Sequence, residues 1–313
     1  MRIAFLGTPE FALPSLQALY DAGHELNVFT QPDRPKDRGH GLKMPPVKEL
    51  ALSLGLPVYQ FEKIRREEGV AALSSFAPDL MVTAAFGQIL SQENLDIPRY
   101  GCINVHGSLL PKYRGAAPIQ WSVINGETET GVTTMMTDIG LDTGDILMTR
   151  RTPIGENETA GELYDRLSVM GAELLIETVN ALIDGTLTRT KQVEEDASRC
   201  GMIKKYMAGI DFGKSVKEVH DLIRGMNPAP VAFTAFDGQP LKVFRSLIPE
   251  VQAEGYEDAA PGECVIADSK KGLYVKCLDG IIEICELQFS GSRRMDAKSA
   301  LNSKKMLGKT LGK

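Results

Sequence analysis

The sequence predicts an α/β protein, with a mostly parallel, doubly wound sheet followed by a small C-terminal antiparallel β-barrel. Three observations carry that prediction. Short apolar runs of the buried-strand kind alternate with helical stretches over the first half of the chain. The last third changes texture, to short β-rich runs separated by turn dipeptides. At 313 residues, 43% hydrophobic and 24% charged, the chain has the composition of a globular protein with room for two domains.

"RIAFLG" opens the alternation as a buried parallel strand, and the turn chemistry of "GTPEFALP" leads into a helix that stops at Gly23. "ELNVFT", "DLMVTAAF" and "GCINVHG" are further strands, separated by the helical stretches "PVKELALSLG" and "REEGVAALSSFAPD". "TGVTTMMTD" and "GDILMTRRTPI" follow with only a loop between them, so the sheet is expected to end in antiparallel or edge strands. A long amphipathic helix closes this domain, with Thr159 as its N-cap and Gly185 as its stop.

From Lys191 periodicity fades. The domain reading is therefore 1–190 as the α/β domain, 191–206 linker and 207–313 barrel. Within the last, "SVKEVHDLIRGMN" is a short helix, and Asp237-Gly238 and Asp279-Gly280 signal hairpins.

Composition narrows the function classes. No stretch approaches the ~20 apolar residues of a membrane span. The chain enters a strand almost at once, which argues against a signal peptide and for the cytoplasm. The five cysteines include no Cys-x-x-Cys pair and are expected as reduced, mostly buried small hydrophobes. Net charge is -6, yet Gln31 to Lys48 carries five basic residues against two acidic, and Phe289 to Lys313 seven against one. Either is a solvated surface or a local basic face for nucleic acid.

The candidate chemistry lies at the end of "GCINVHG". Ligand sites of open α/β sheets sit at the carboxyl ends of strands. Residues two apart on a strand share a face, so Asn104 and His106 converge. "TDIGLDTGDIL" supplies Asp138, Asp142 and Asp145 on a glycine-punctuated loop without EF-hand spacing, so no metal is expected. "LGTPEFALP" follows a strand but lacks Gly-x-Gly-x-x-Gly, which argues against a dinucleotide there. An amide donor for an oxyanion, a histidine to move a proton and a carboxylate to orient it suit acyl transfer to an amine. No Gly-x-Ser-x-Gly elbow or activated cysteine offers a covalent alternative.

"FLGTPEFALPSLQAL", "QPDRPKDRG", "AAFGQIL", "NVHGSLLPKYRGAAPIQW", "NGETETGVTTMMTDIGLDTGDIL" and "VHDLIRGMNPAP" together resemble the methionyl-tRNA formyltransferase family, in order and over essentially the whole chain. "HGSLLPKYRG" and "GLDTGDIL" are similar to the signature shared by formyltransferases that use 10-formyltetrahydrofolate, while the Gln-Pro-Asp-Arg-Pro loop and the barrel narrow the resemblance to the tRNA enzymes. It implies a formyltransferase fold with an OB-like barrel, and Asn104, His106 and Asp142 as the catalytic trio. It implies a folate site made by Ser108, Leu109, Leu110 and Pro111, by Phe86, Gly87, Gln88, Ile89 and Leu90, and by the loop from Asp138 through Gly140 to Gly144. It further implies initiator methionyl-tRNA held by Arg34, Lys36, Arg38 and Lys43, with Arg38 as the principal contact, and a monomer. The chain departs from the family at His40-Gly41, where two lysines are usual, and at Phe212, where tryptophan is usual. Sugar-nucleotide N-formyltransferases share the trio and the folate loop and are the alternative, whereas a single-domain glycinamide ribonucleotide transformylase leaves the barrel unexplained. A folate-dependent RNA-binding module without catalysis would not need the intact trio.

Overall fold

The computed structural model describes residues 1–35, 42–250 and 255–312. In chain order it runs β1 (Arg2–Gly7), α1 (Leu13–Asp21), β2 (Glu25–Thr30), β3 (Arg34–Pro35), β4 (Leu42–Lys43), α2 (Pro46–Ser53), β5 (Val58–Gln60), α3 (Glu67–Phe76), β6 (Leu80–Ala84), α4 (Gln92–Leu95), β7 (Cys102–His106) and β8 (Arg114–Gly115). It continues with α5 (Pro118–Ile124), β9 (Glu129–Met136), β10 (Ile146–Pro153), α6 (Ala160–Ile183), β11 (Arg199–Cys200) and α7 (Val216–Gly225). The remainder is β12 (Ala232–Phe236), β13 (Gln239–Leu247), β14 (Cys264–Asp268), β15 (Gly272–Lys276), β16 (Ile281–Phe289), β17 (Met295–Asp296) and α8 (Ala297–Ala300). Two compact units result. The first comprises Met1–Pro118, Thr130–Thr152 and Tyr164–Cys200, and the second Ile119–Glu129, Pro153–Leu163 and Gly201–Lys313.

The first unit is built on a seven-stranded sheet in the order β10-β9-β7-β6-β1-β2-β5. β1 pairs parallel with β2 and β6, β2 with β5, and β6 with β7, while β9 runs antiparallel to β7. The antiparallel end expected from the sequence is therefore present. Ile3, Ala4, Phe5 and Leu6 of β1 are wholly buried, because a central parallel strand has helices over both faces. Ala4 and Leu6 pack with Phe29, Leu73, Met81 and Phe86 in one apolar cluster. The chain goes outward from β1 to β2 and β5, then crosses to β6 and β7 on the other side. Strand order thus reverses between β1 and β6, which opens a crevice at their carboxyl ends.

Local signals set the helix ends. Pro14 stands in the first turn of α1, and Gly23 beyond its last turn takes φ +76°, a conformation open to glycine at little cost. Thr159 caps α6 as expected: its Oγ1 accepts from the Glu162 amide at 3.2 Å, and the Glu162 carboxylate accepts from the Thr159 amide at 2.9 Å.

The second unit holds the small antiparallel barrel. Its sheet runs β12-β13-β16-β15-β14, with β17 paired to β16. Asp237 and Gly238 both have positive φ, the requirement of the tight turn joining β12 to β13. Register shifts in β13 and at the start of β14 supply the bends that a curled sheet needs. Ser215 caps α7, accepting from the Glu218 amide, and α7 lays Val219 and Ile223 against Leu241, Val243 and Ile284. Phe212 is buried in the same core.

All five cysteines are free, and all but the half-buried Cys285 are buried. Burial pushes the Cys102 thiol up to about 11 and those of Cys264 and Cys277 up to about 12, so near neutrality they pack as protonated, apolar groups. Among the described residues no helix is long and apolar enough to cross a membrane.

Candidate active site

β7 brings Asn104 and His106 to the crevice. Its neighbour β6 is in register so that Thr83 lies beside Asn104. The Thr83 hydroxyl donates to Asn104 Oδ1 at 2.8 Å. With the carbonyl end of the amide so occupied, Nδ2 is left as the outward donor, and it makes no hydrogen bond among the described residues. An amide fixed by its oxygen with its N–H groups free can serve an anion that arrives later.

His106 is buried, and each ring nitrogen faces an oxygen. Nε2 lies 3.0 Å from the Tyr113 carbonyl, and Nδ1 lies 3.8 Å from Asp142 Oδ2. A carbonyl only accepts, so Nε2 carries the hydrogen in this arrangement. The Asp142 separation is too long for a direct hydrogen bond but short for Coulombic attraction.

The same Asp142 oxygen, Oδ2, accepts from the Gly115 amide at 2.8 Å, which holds the carboxylate in place. Asp142 itself adopts φ +54°, Tyr113 φ +59° and Ala85, just past β6, φ +46°. Left-handed non-glycine residues gather at sites where a side chain or carbonyl must be aimed. Gly115, at φ +125°, has no alternative: a Cβ there would stand 2.0 Å from the Cys200 carbonyl oxygen.

Two of the three aspartates of the loop divide the work. Asp138 Oδ1 accepts from the Gly140 amide at 3.0 Å and from Thr143 Oγ1 at 2.7 Å, which shapes the loop, whereas Asp142 turns inward to His106. Ile139 and Leu141, between them, are 69% and 64% exposed.

Ser108 is wholly buried: its hydroxyl donates to the Lys112 carbonyl at 2.7 Å, and its own carbonyl accepts from Thr133 Oγ1 at 2.7 Å. The same threonine accepts from the Leu110 amide at 3.2 Å, so one buried hydroxyl on β9 pins the turn after β7. Leu110 is buried, while Leu109 and Pro111 are half-buried. Across the crevice, Phe86 and Leu90 are buried, Gly87 is exposed, and Ile89 is 70% exposed. Both ends of the Gln88 amide are spent on backbone, accepting from Ile64 and donating to Phe61 at 2.7 Å each, so its side chain braces the loop.

Of the basic residues, Arg34 and Lys43 face each other across the short antiparallel pair β3–β4. Both are exposed, and the Arg34 guanidinium forks onto Glu62 at 3.3 and 3.2 Å. Lys36 and Arg38 lie outside the described residues. At the base of this pair, Lys48 donates to both oxygens of Asp33 at 2.9 and 2.8 Å. Among the described residues no group of three or more His, Cys, Asp or Glu could hold a metal.

Several groups at the site escaped the sequence reading. Thr83 carried a usable signal, a hydroxyl within an otherwise apolar buried strand. The Tyr113 carbonyl carried none, because a backbone group has no residue signature. Gln192, whose amide reaches the Asp142 loop, sits in a stretch with no periodicity.

Residues 1–179 match the family model described as formyl transferase, and residues 202–305 match that of the formyl transferase C-terminal domain. The chain is 49% identical over 315 residues to the methionyl-tRNA formyltransferase of Ruminiclostridium cellulolyticum, covering 100% of both chains. It is 52% identical over 317 residues to that of Geotalea uraniireducens, covering 100% of this chain and 98% of the relative. Among solved structures, an N-formyltransferase from Helicobacter canadensis in complex with folinic acid and dTDP-3-aminofucose shares the fold, with a TM-score of 0.67 at 20% identity over 90% of this chain and 98% of that one.

Proposed function

The chain belongs to the methionyl-tRNA formyltransferase family, and from that premise we propose how its own residues carry the reaction. The enzyme transfers the formyl group of 10-formyltetrahydrofolate to the free α-amine of methionine esterified to initiator tRNA, for translation initiation. The convergence of Asn104, His106 and Asp142 at the end of β7 carries the assignment of roles.

The amine attacks the formyl carbon, and the carbonyl oxygen gains negative charge. Asn104 donates its unoccupied Nδ2–H to that oxygen, and His106, protonated between the Tyr113 carbonyl and Asp142, stabilises the same charge. Asp142 takes the proton leaving the amine, directly or through one water, and the C–N bond to the folate then breaks as that proton passes on to N10. Holding amine and formyl carbon together lowers the barrier further.

Tetrahydrofolate lies between the loop 86–90 and the loop 138–144. The exposed apolar tips Ile89, Ile139 and Leu141 support this, since a flat heterocycle needs apolar walls beside backbone polar groups. Arg34, Lys36, Arg38 and Lys43 grip the acceptor end of the tRNA, and the barrel adds a basic surface through its C-terminal lysines. The enzyme works as a cytoplasmic monomer and needs no metal.

Labelled 10-formyltetrahydrofolate, presented in parallel with methionyl-tRNA, glycinamide ribonucleotide and amino-sugar nucleotides, tests the reading. Transfer to methionyl-tRNA alone is expected. Preferential transfer to an amino-sugar nucleotide would overturn it.

A further inference from the structure

We propose that Gln192, far from the other site residues in sequence, is a positioning residue for Asp142, which it holds through the backbone of the loop. The inference rests on the role given to Asp142 above. Gln192 Nε2 donates to the Asp142 carbonyl at 2.8 Å and to the Gly144 carbonyl at 2.7 Å. The loop's internal bonds, from the Gly140 amide and the Thr143 hydroxyl to Asp138, leave the carbonyls of the left-handed Asp142 and of Gly144 to Gln192.

The orientation of Gln192 is not free. Its Oε1 accepts from Arg114 Nε at 3.0 Å, and a guanidinium can only donate, so the amide nitrogen must face the loop. Arg114 is itself 1% exposed and is anchored beyond Gln192 by Glu194, 2.7 Å from its Nη1. A buried arginine in such a fork has little rotamer freedom.

The three residues Tyr113, Arg114 and Gly115 thus reach the trio by three routes. The Tyr113 carbonyl meets His106, the Arg114 guanidinium aims Gln192 at the Asp142 backbone, and the Gly115 amide meets the Asp142 carboxylate. One rigid tripeptide, with Gln192 as its extension, therefore sets both sides of the gap between His106 Nδ1 and Asp142 Oδ2. A displacement of about 1 Å in such a gap can cost on the order of 10²-fold in rate.

Gln192→Glu is the informative substitution. Glutamate still accepts from Arg114, so the buried cation keeps a partner, but it cannot donate to the two carbonyls. The full-length variant should show kcat lowered about 10- to 100-fold at saturating folate, KM for methionyl-tRNA within about twofold, and a urea midpoint close to the parent's. Gln192→Met, which keeps the volume and loses the two loop bonds together with the one from Arg114, provides a second measurement per folded enzyme if Gln192→Glu is poorly soluble.

A double-mutant cycle with Asp142→Asn separates the outcomes, because a residue acting only through Asp142 adds nothing once that carboxylate is gone. Losses that fail to multiply, with Asp142→Asn itself impaired, support the proposal. Multiplying losses, or a parental kcat in both Gln192 variants, overturn it while leaving the trio intact. A parental rate in Asp142→Asn overturns the underlying role of Asp142 instead.

Discussion

Asp142→Asn removes one charge from the site, and with it the group that takes the amine's proton, while keeping the side chain's shape. The amide keeps an oxygen to accept from the Gly115 N–H, which now meets the carboxylate at 2.8 Å, and asparagine tolerates the φ of +54° found at this position. The loop should therefore hold its shape. Besides that proton acceptor, the attraction between the carboxylate and a protonated His106, whose nearest atoms are 3.8 Å apart, is lost. Unit charges at that separation attract by about 4 kcal/mol at an effective dielectric constant of ~20. The amide dipole and any admitted water recover part of this, leaving about 2–3 kcal/mol of transition-state stabilisation, so the chemical step should fall by roughly 30-fold or more once the lost proton acceptor is added. Single-turnover formylation of methionyl-tRNA, with enzyme in excess and labelled 10-formyltetrahydrofolate, reads that step without product release. Folate affinity should stay within about threefold of the parent, because the lost interaction is made chiefly in the transition state. A single-turnover rate within threefold of the parent, in a protein with unchanged thermal stability, would refute the electrostatic account of Asp142.

Replacing His106 or Asn104 by alanine should each lower kcat by about 10²-fold or more while folate still binds; a His106→Ala enzyme keeping more than about a tenth of the parental rate counts against the trio. Phe29→Ala, which empties a wholly packed site stacked on Tyr59 at a centroid distance of 5.1 Å, should cost about 3–5 kcal/mol in urea unfolding; a cost below about 1 kcal/mol would mean that the cluster around β2 is loosely packed. Burial holds the His220 imidazole below its usual range despite the opposing pull of the Glu156 carbonyl, so the unfolded chain takes up this proton first as pH falls. That contribution is whole above pH 6.5 and drains away as pH drops through the folded value, so His220→Gln should flatten the decline of Tm between about pH 7 and 5; parallel declines in parent and variant would remove His220 as the cause.

Much of the fold was legible in the sequence because its signals are local. Apolar runs bounded by turns marked the strands, Thr159 announced a helix start, and Asp237-Gly238 fixed a hairpin, since each rests on φ preference or a bond reaching three residues or fewer. The pairing of Asn104 with His106 was legible for the same reason: alternation along a strand puts residues two apart on one face whatever surrounds them.

What only the tertiary structure decided is the rest of the polar frame. The residues of "TDIGLDTGDIL" left three aspartates open, and it took the resemblance to single out Asp142. The physical ground for that choice lies in Gly115, 27 residues earlier in the chain, whose amide turns that carboxylate toward His106 while Asp138 spends its own on the loop. Gln192 had no signal at all, being one polar residue in an aperiodic stretch. Its role exists only because Arg114 is buried beside it and the loop's carbonyls lie within reach, a condition set by packing across 50 residues of sequence. Periodicity and turn chemistry are properties of neighbouring residues, so they are written in the chain; which carbonyl meets which amide across the sheet is a property of the folded unit and appears only there.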